Sequence, residues 1–246
     1  HCPQPLSAGA RLALPEGAAR HVQVLRLQPG AALTLFDGHG GQWQATVTRM
    51  GRSEVEVEIG AHEAVEREAS RAVYLALGMP ANERMDWLIE KATELGVTRV
   101  VPLLTQRTVV RLSGERADKR LAHWQAIAAG ACEQSGRDHL PQIEDVQTLA
   151  QWLKASAHAP ELGVRMRLSL APGAAHWTRF ALAPNAALCA ALGPEGGWSE
   201  DEETALDQAG FAAVSLGPTV LRAETAALTV LARWADAAPS TSAPGQ

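Results

Sequence analysis

Cysteine is scarce in this sequence of 246 residues, and its three cysteines lie far apart. Cys2, Cys132 and Cys189 form neither a CxxC pair nor a cluster with histidine. Because the cysteines are few, odd in number and widely spaced, the sequence predicts neither a disulfide framework nor a metal site. The expected location is a reducing compartment, the cytoplasm.

Long hydrophobic runs and an export leader are also missing. A membrane-spanning helix needs about 18 or more consecutive apolar residues, and no such run occurs. No basic segment followed by an apolar stretch opens the sequence, so we expect neither export nor membrane insertion. The composition, with 46% hydrophobic and 20% charged residues, is typical of a folded protein with a substantial core in one or two domains.

Positive charge is in the minority, but it is unevenly distributed. The formal net charge of −5 excludes a protein that coats nucleic acid by charge alone. Residues 1–52 nevertheless carry five arginines against two acids, and residues 99–120 carry six cations against two acids. Two interpretations stay open at this point: solvated polar faces, or two local patches that contact phosphate.

Residues 1–66 have the pattern of a small β domain. Apolar and polar residues alternate from Trp43 to Thr48 and again from Val55 to Ile59, next to turns that contain glycine. Short strands with tight turns and one face exposed to water predict a small β-barrel. The charged run from Glu63 to Ser70 is the expected linker.

Residues 71–237 show strands that alternate with helices. This alternation predicts an α/β domain whose largely parallel sheet is covered by helices on both faces. A capping box, in which Ser199 and Glu202 exchange bonds with each other's backbone, marks the start of one helix. Residues 238–246 are rich in proline, serine, threonine and glycine and are predicted to be a disordered tail. The predicted strands are 73–77, 100–104, 167–170, 187–192 and 213–216.

Two glycine-containing loops follow predicted strands in the last third of the sequence. The strand at 188–192 runs into Gly193–Gly197, and the strand at 214–216 runs into 217–222. Ligands of parallel sheets bind at the carboxyl ends of strands, where glycine lets the backbone approach a ligand and proline stiffens the loop. Backbone groups of such loops suit the edge of an adenine. Each loop alone is also compatible with a simple tight turn, but the second carries Arg222 and Glu224 just before a helix, where a turn needs neither.

Other motifs for nucleotide binding or hydrolysis are absent. The sequence has no GxxxxGK[ST] motif, no strand-linked GxGxxG and no GxSxG. What it does contain resembles the ribosomal RNA small subunit methyltransferase E family, of the SPOUT class of knotted methyltransferases. The matching segments keep the family's order across almost the whole chain. They are 21–30, 36–38, 90–97, 133–137, 192–197 and 216–226, with Pro102 and Pro141.

The resemblance implies a fold and an activity. The implied fold is α/β: a C-terminal SPOUT trefoil-knot domain over 71–237, preceded by a small PUA-like β-barrel that binds RNA over 1–66. The implied reaction is methylation of N3 of one uridine in 16S ribosomal RNA, with S-adenosylmethionine as the donor. The resemblance also implies a homodimer with its site near the dimer interface and a substrate within the small ribosomal subunit.

The resemblance further implies roles for particular residues. Arg222 is the candidate for stabilising negative charge on the base or fixing a phosphate, and Glu224 for orienting Arg222 or lying near the sulfonium. A structural ion pair is the alternative for both. The residues implied to hold the cofactor are Leu170, Leu192, Gly193, Pro194, Glu195, Gly196, Gly197, Leu216, Gly217, Leu221, Thr225 and Ala226.

Five arginines are candidates for RNA binding. Arg137 follows a helix inside a matching segment, which suggests an RNA or cross-subunit contact, although capping of that helix by its guanidinium is an equally simple explanation. The other four are expected to contact phosphates from the small β domain. They are Arg20, Arg26, Arg49 and Arg52.

Two rival functions stay open on the sequence alone. The first is a PUA-like RNA-binding protein whose knotted domain is catalytically inactive, and intact loops at 193–197 and 216–226 argue against it. The second is an enzyme that acts on a free small metabolite through the same pocket. The separate β domain with its arginines argues against that reading.

Overall fold

A computed structural model describes residues 1–52, 54–69, 71–171, 173–179, 183 and 186–235, and the predicted tail at 238–246 lies outside these ranges. The chain divides into two compact units. The first comprises His1–Glu68 and Cys132–Leu140, and the second comprises Ala69–Ala131 and the residues from Pro141 onward. In the described ranges, no helix is long and apolar enough to cross a bilayer.

The first unit contains an antiparallel sheet of four strands, in the order β1-β4-β3-β2. Its strands carry the predicted alternation, because Val55, Val57 and Ile59 are buried while the residues between them are not. One helix in this unit was not predicted, since only Ala19 and Val22 of its nine residues are buried and they give too short an apolar stripe. The elements are β1 Arg11–Ala13, α1 Glu16–Val24, β2 Ala32–Leu35, β3 Gln42–Met50 and β4 Val55–Glu63.

A segment distant in sequence, Cys132–Leu140, completes this first unit. The Leu140 amide donates to the Gly38 carbonyl at 3.1 Å, and the Gly40 amide donates to the Asp138 carbonyl at 3.2 Å. The Asp138 carboxylate also accepts from Arg67 at 2.9 Å. The sequence boundaries placed this segment in the second domain, because nothing local in its residues indicates a partner about a hundred residues upstream.

The second unit is built on a parallel sheet in the order β10-β12-β9-β11-β5-β6-β7, with β8 also paired to β6. All of its described strand pairs are parallel, which confirms the predicted α/β class. Short 3-10 turns cover Pro160–Leu162 and Trp177–Arg179. The elements are β5 Val73–Gly78, α2 Asn82–Glu94, β6 Arg99–Leu104, α3 Glu115–Ser135, β7 Gln142–Ile143, β8 Gln147–Thr148, α4 Leu149–Ala155, β9 Val164–Leu168, β10 Ala175–His176, β11 Leu188–Leu192, α5 Glu200–Gln208, β12 Ala212–Ser215 and α6 Ala223–Ala235.

Helices cover both faces of this sheet. Strands β5 and β11 are buried along their whole length, as expected for strands packed on two sides. Leu75 lies in one core with side chains from α2 and α6, whereas Ala76 lies in a second core with side chains from α4 and α5. The predicted capping box starts α5, where Ser199 and Glu202 bond each other's backbone. Because the faces are covered, a ligand can reach the sheet only at its ends.

Candidate functional site

The carboxyl ends of three neighbouring strands surround a cavity of about 540 Å³. The segments that follow β9, β11 and β12 form its wall. The two glycine-containing loops therefore face one cavity, as expected for loops at the carboxyl ends of strands in one parallel sheet. They do not follow adjacent strands, however, since β9 lies between β11 and β12 and contributes Ser169, Leu170 and Ala171 to the lining.

The first loop, Gly193–Gly197, is held by contacts on three sides. Gly78, at the end of β5, backs onto Pro194, where a Cβ atom on Gly78 would lie 2.6 Å from the Pro194 nitrogen. The Glu195 carboxylate accepts from the Ala81 amide at 3.2 Å and from Arg84 at 3.1 Å. These contacts hold the main chain of the loop in one conformation, and its glycine-rich backbone lines the cavity.

Arg107 approaches the same loop from the segment after β6. Its Nη1 donates to the Gly196 carbonyl at 2.8 Å, and its side-chain stem lies against Gly196, where a Cβ atom would be 3.1 Å from the Arg107 Cβ. Gly197 has a φ of +70°, which glycine adopts without strain. Arg107 was predicted only as a member of the basic segment 99–120 and not as part of this site, although its position just beyond a strand end is the signal that identified the other loops.

The second loop, Leu216–Leu221, is fixed by a hydroxyl group at its start. The Ser215 hydroxyl accepts from the Gly217 amide at 3.2 Å and donates to the Gly217 carbonyl at 3.1 Å. Leu216 and Leu221 pack against the larger apolar core and also line the cavity. This side of the cavity is therefore apolar, and the packing of Leu216 and Leu221 against the core holds it in place.

The two predicted catalytic residues occupy different surroundings. Arg222 is exposed and lines the cavity, whereas Glu224 is only 7% exposed and is not part of the lining. The ion pair of Glu224 in the described chain is with Arg84, whose Nε lies 3.9 Å from Glu224 Oε1. Arg84 thus links Glu195 of the first loop to Glu224 after the second. Sequence spacing gave no reason to expect this link.

Most of the predicted cofactor residues line this cavity. Thr225 is the exception, because it is exposed on the first turn of α6 and is not part of the lining. Leu170, which extends past the observed end of β9, is 70% exposed at the cavity. The predicted residues that line it are Leu170, Leu192, Gly193, Pro194, Glu195, Gly196, Gly197, Leu216, Gly217, Leu221 and Ala226.

The arginines predicted to bind RNA differ in their partners. Arg20 pairs with Glu16 at 3.2 Å, and Arg49 pairs with both Glu54 and Glu56. Arg26 and Arg52 have no carboxylate within ion-pair distance in the part of the first unit that the structure describes. The first two are therefore partly neutralised, and an RNA role stays a prediction for all four.

Arg137 is buried inside the first unit and is 7% exposed. Its Nε donates to Glu68 at 2.8 Å, and its Nη2 makes a second bond to the same carboxylate. A bidentate pair of this kind commits the guanidinium to Glu68. The predicted RNA or cross-subunit contact of Arg137 stays a prediction, and the structure gives the residue an intramolecular role.

The described residues include no group of three or more histidine, cysteine, aspartate or glutamate side chains placed to bind a metal ion. Burial raises the pKa of Cys189 to about 12 and that of Cys132 to about 11. Both thiols are therefore neutral at physiological pH, which suits core packing rather than nucleophilic chemistry.

Comparison with known proteins places both units in a family. An RNA methyltransferase domain model matches residues 67–235, and an RNA methyltransferase PUA domain model matches residues 14–60. The ribosomal RNA small subunit methyltransferase E of Synechocystis is 34% identical over 224 residues, which cover 86% of this chain and 68% of that protein.

Two solved structures are similar over nearly the whole chain. The ribosomal RNA small subunit methyltransferase E of Neisseria gonorrhoeae, bound to S-adenosyl methionine, has a TM-score of 0.86 and 38% identity and covers 94% of this chain and 93% of its own. A Legionella pneumophila protein in complex with the same cofactor has a TM-score of 0.87 and 35% identity, with 96% of each chain covered. This chain therefore belongs to the ribosomal RNA small subunit methyltransferase E family.

Proposed function

We propose that this protein transfers a methyl group from S-adenosylmethionine to N3 of one uridine in 16S ribosomal RNA. The observation that carries the proposal is the single cavity between the loops after β9, β11 and β12, in a chain of this family. Two similar proteins were solved with S-adenosylmethionine. The expected compartment is the cytoplasm, where ribosomal RNA is found in a bacterial cell.

The cavity fits this cofactor in size and in chemistry. A volume of about 540 Å³ lies within the range of about 300–1,000 Å³ that is usual for small-ligand sites. The backbone of Gly193–Gly197 offers donors and acceptors for the adenine edge, while Leu192, Leu216 and Leu221 offer apolar surface for its faces. When bound, the cofactor supplies an electrophilic methyl group on a sulfonium.

The chain's own residues have two tasks in this reaction. N3 of uracil carries a proton and is a poor nucleophile, so the site has to stabilise the base as that proton leaves. Arg222 suits this role because it is exposed at the cavity and no carboxylate in the described ranges lies within ion-pair distance of it. Rigid loops serve the second task, which is to hold the two reactants in line.

Glu224 is assigned a positioning role. Its carboxylate is buried beside Arg84, which also bonds Glu195, so it ties the start of α6 to the first loop. Arg222 lies two residues before Glu224 on the same turn of chain. Glu224 therefore orients Arg222 through the backbone rather than through a direct ion pair.

The active form is proposed to be a homodimer, and the trefoil knot stays a prediction of the family resemblance. Leu170 and Val220 are 70% and 75% exposed and both line the cavity. Apolar side chains of this size at the rim of a site are the groups that a subunit interface would cover. Light scattering of the purified protein tests this directly, and a monomeric mass for a protein that methylates RNA would contradict it.

The central experiment is a methylation assay with purified protein and labelled S-adenosylmethionine. Unmodified small ribosomal subunits, naked 16S RNA and free uridine are offered separately, and the products are mapped by mass spectrometry. We expect one N3-methyluridine in 16S RNA and none in free uridine. Methylation of the free nucleoside would favour the metabolite enzyme, and RNA binding without cofactor binding in calorimetry would favour the inactive RNA-binding protein.

A further inference from the structure

Four charged side chains line the cavity, and the two negative ones pair with arginines outside the lining. Glu195 pairs with Arg84 at 3.1 Å, and Glu203 pairs with Arg167 at 3.3 Å. Each of these arginines also pairs with a second carboxylate, Arg84 with Glu224 and Arg167 with Asp207, so the charges of Glu195 and Glu203 are only partly compensated. The remaining charged groups of the lining are the guanidinium groups of Arg107 and Arg222.

These two guanidinium groups line the cavity, and neither is paired with a carboxylate among the described residues. S-adenosylmethionine has a sulfonium, an ammonium and a single carboxylate, so its own net charge is positive. Its one carboxylate leaves at least one of the two unpaired guanidinium groups without an anionic partner, which favours a second, anionic ligand at the same cavity.

Arg107 is preorganised to receive that ligand. One N–H group is committed to the Gly196 carbonyl at 2.8 Å, which leaves four of the five guanidinium donors that any arginine carries. The segment before it is anchored too, because the Gln106 amide donates to Glu202 at 2.7 Å and the hydroxyls of Thr105 and Thr108 bond each other at 2.8 Å. Arg107 therefore loses little side-chain entropy when it binds the anionic ligand.

We propose that Arg107 forms a phosphate-binding subsite at the cavity, which holds the RNA backbone beside the target nucleotide. The inference rests on the proposed function. An enzyme that modifies a base in folded RNA draws the nucleotide out of its stack, and this brings the flanking phosphates to the edge of the pocket. Guanidinium groups bind phosphate with two parallel hydrogen bonds, and Arg107 has the free donors to do so. Arg222 is left to act on the base.

The test compares Arg107→Gln with Arg107→Lys and with the control Arg116→Gln. Arg116 is exposed in the same basic segment but does not line the cavity. Binding of an unmodified 16S RNA transcript is measured over a range of salt concentrations, and binding of S-adenosylmethionine is measured separately by calorimetry. Glutamine removes the charge of Arg107 and is two bonds shorter than arginine, so the calorimetry also shows whether loss of the bond to the Gly196 carbonyl affects the cofactor.

We expect Arg107→Gln to reduce the slope of log affinity against log salt by roughly 0.7, which is one phosphate contact on single-stranded RNA. A slope reduction of this size corresponds to roughly fivefold weaker RNA binding by the variant at 0.1 M salt. Cofactor affinity should change less than about twofold, and Arg107→Lys should restore the slope.

Three results would overturn the subsite. They are an unchanged slope in Arg107→Gln, an equal loss in Arg116→Gln, and a loss of cofactor binding with normal RNA binding, which would assign Arg107 to the cofactor carboxylate. A wild-type protein that binds no S-adenosylmethionine and methylates no RNA would instead refute the proposed function. The two failures are therefore distinguishable.

Discussion

Replacing Gly78 with alanine tests whether the first loop holds the cofactor through its backbone. A Cβ atom at residue 78 would lie 2.6 Å from the Pro194 nitrogen, about 0.8 Å short of an ordinary contact at 3.4 Å. The nearest atoms are the ring Cδ and the backbone nitrogen of Pro194, and neither can rotate away because the proline ring is closed onto the main chain. The loop Gly193–Gly197 must shift as a unit.

The size of the effect follows from this shift. A hydrogen bond of ordinary length that is stretched by about 0.8 Å is no longer a hydrogen bond. Loss of two such bonds to the cofactor, at about 0.5–1.5 kcal/mol each, weakens binding by roughly fivefold to 150-fold. Overpacking at this point also lowers the free energy of unfolding by about 1–3 kcal/mol.

Calorimetric titration with S-adenosylmethionine and urea unfolding measure the two effects of Gly78→Ala. Gly130→Ala is the matched control, since residue 130 lies within α3 and nothing is within 4 Å of its added Cβ. Alanine in a helix is favoured over glycine, so the control should gain about 1 kcal/mol of stability and bind the cofactor normally. Normal cofactor affinity in a destabilised Gly78→Ala protein would show that the loop does not contact the cofactor.

Three further predictions concern single side chains. Arg222→Ala should lower the rate of single-turnover methylation by about 10²-fold, as loss of a transition-state donor does. Its cofactor affinity should stay within about twofold of the wild-type value, and a loss of affinity that matches the loss of rate would refute the role. Arg84→Gln should weaken cofactor binding by about twofold to fivefold, because Arg84 and Glu195 are both partly exposed to solvent, and in calorimetry its effect should not add to that of Glu195→Gln. Burial raises the pKa of Cys189 from 9.0 to about 12. The thiol is neutral in both states well below pH 9.0, and as the pH rises through 9.0 only the unfolded chain ionises, so the free energy of unfolding should fall by about 1.4 kcal/mol in total between pH 8 and pH 10, relative to Cys189→Ala, in urea unfolding.

Local patterns predicted the elements whose signals lie within a few residues. Alternation at Val55–Ile59 gave a strand, and the Ser199–Glu202 capping box gave a helix start that the structure shows bond for bond. The helix Glu16–Val24 was missed, because its apolar residues are too few to give a helical period. The strand predicted at 167–170 is observed at Val164–Leu168, an error of the size expected at element boundaries.

The ion-pair partners of the predicted site residues could not be predicted from the sequence. Glu224 was expected near Arg222, two residues away, but its partner Arg84 is 140 positions upstream. For Arg137, an RNA or cross-subunit contact and a helix cap were the two expectations, and neither pointed to its pair with Glu68; the RNA or cross-subunit contact stays a prediction. Ion pairs of this kind depend on which elements become neighbours, and no local period or cap encodes that.

The order of residues along the chain determined the α/β alternation and the positions of the glycine-bearing loops, which depend on short-range chemistry: apolar period, helix caps, and the backbone freedom of glycine. The family resemblance rested instead on matching segments spread over almost the whole chain. Only the tertiary structure decided that β9 separates β11 from β12, that Arg107 reaches the first loop, and which arginines pair with the carboxylates of the cavity. Each of these depends on pairing between distant strands, and such pairing is set by how the whole core packs rather than by any one segment.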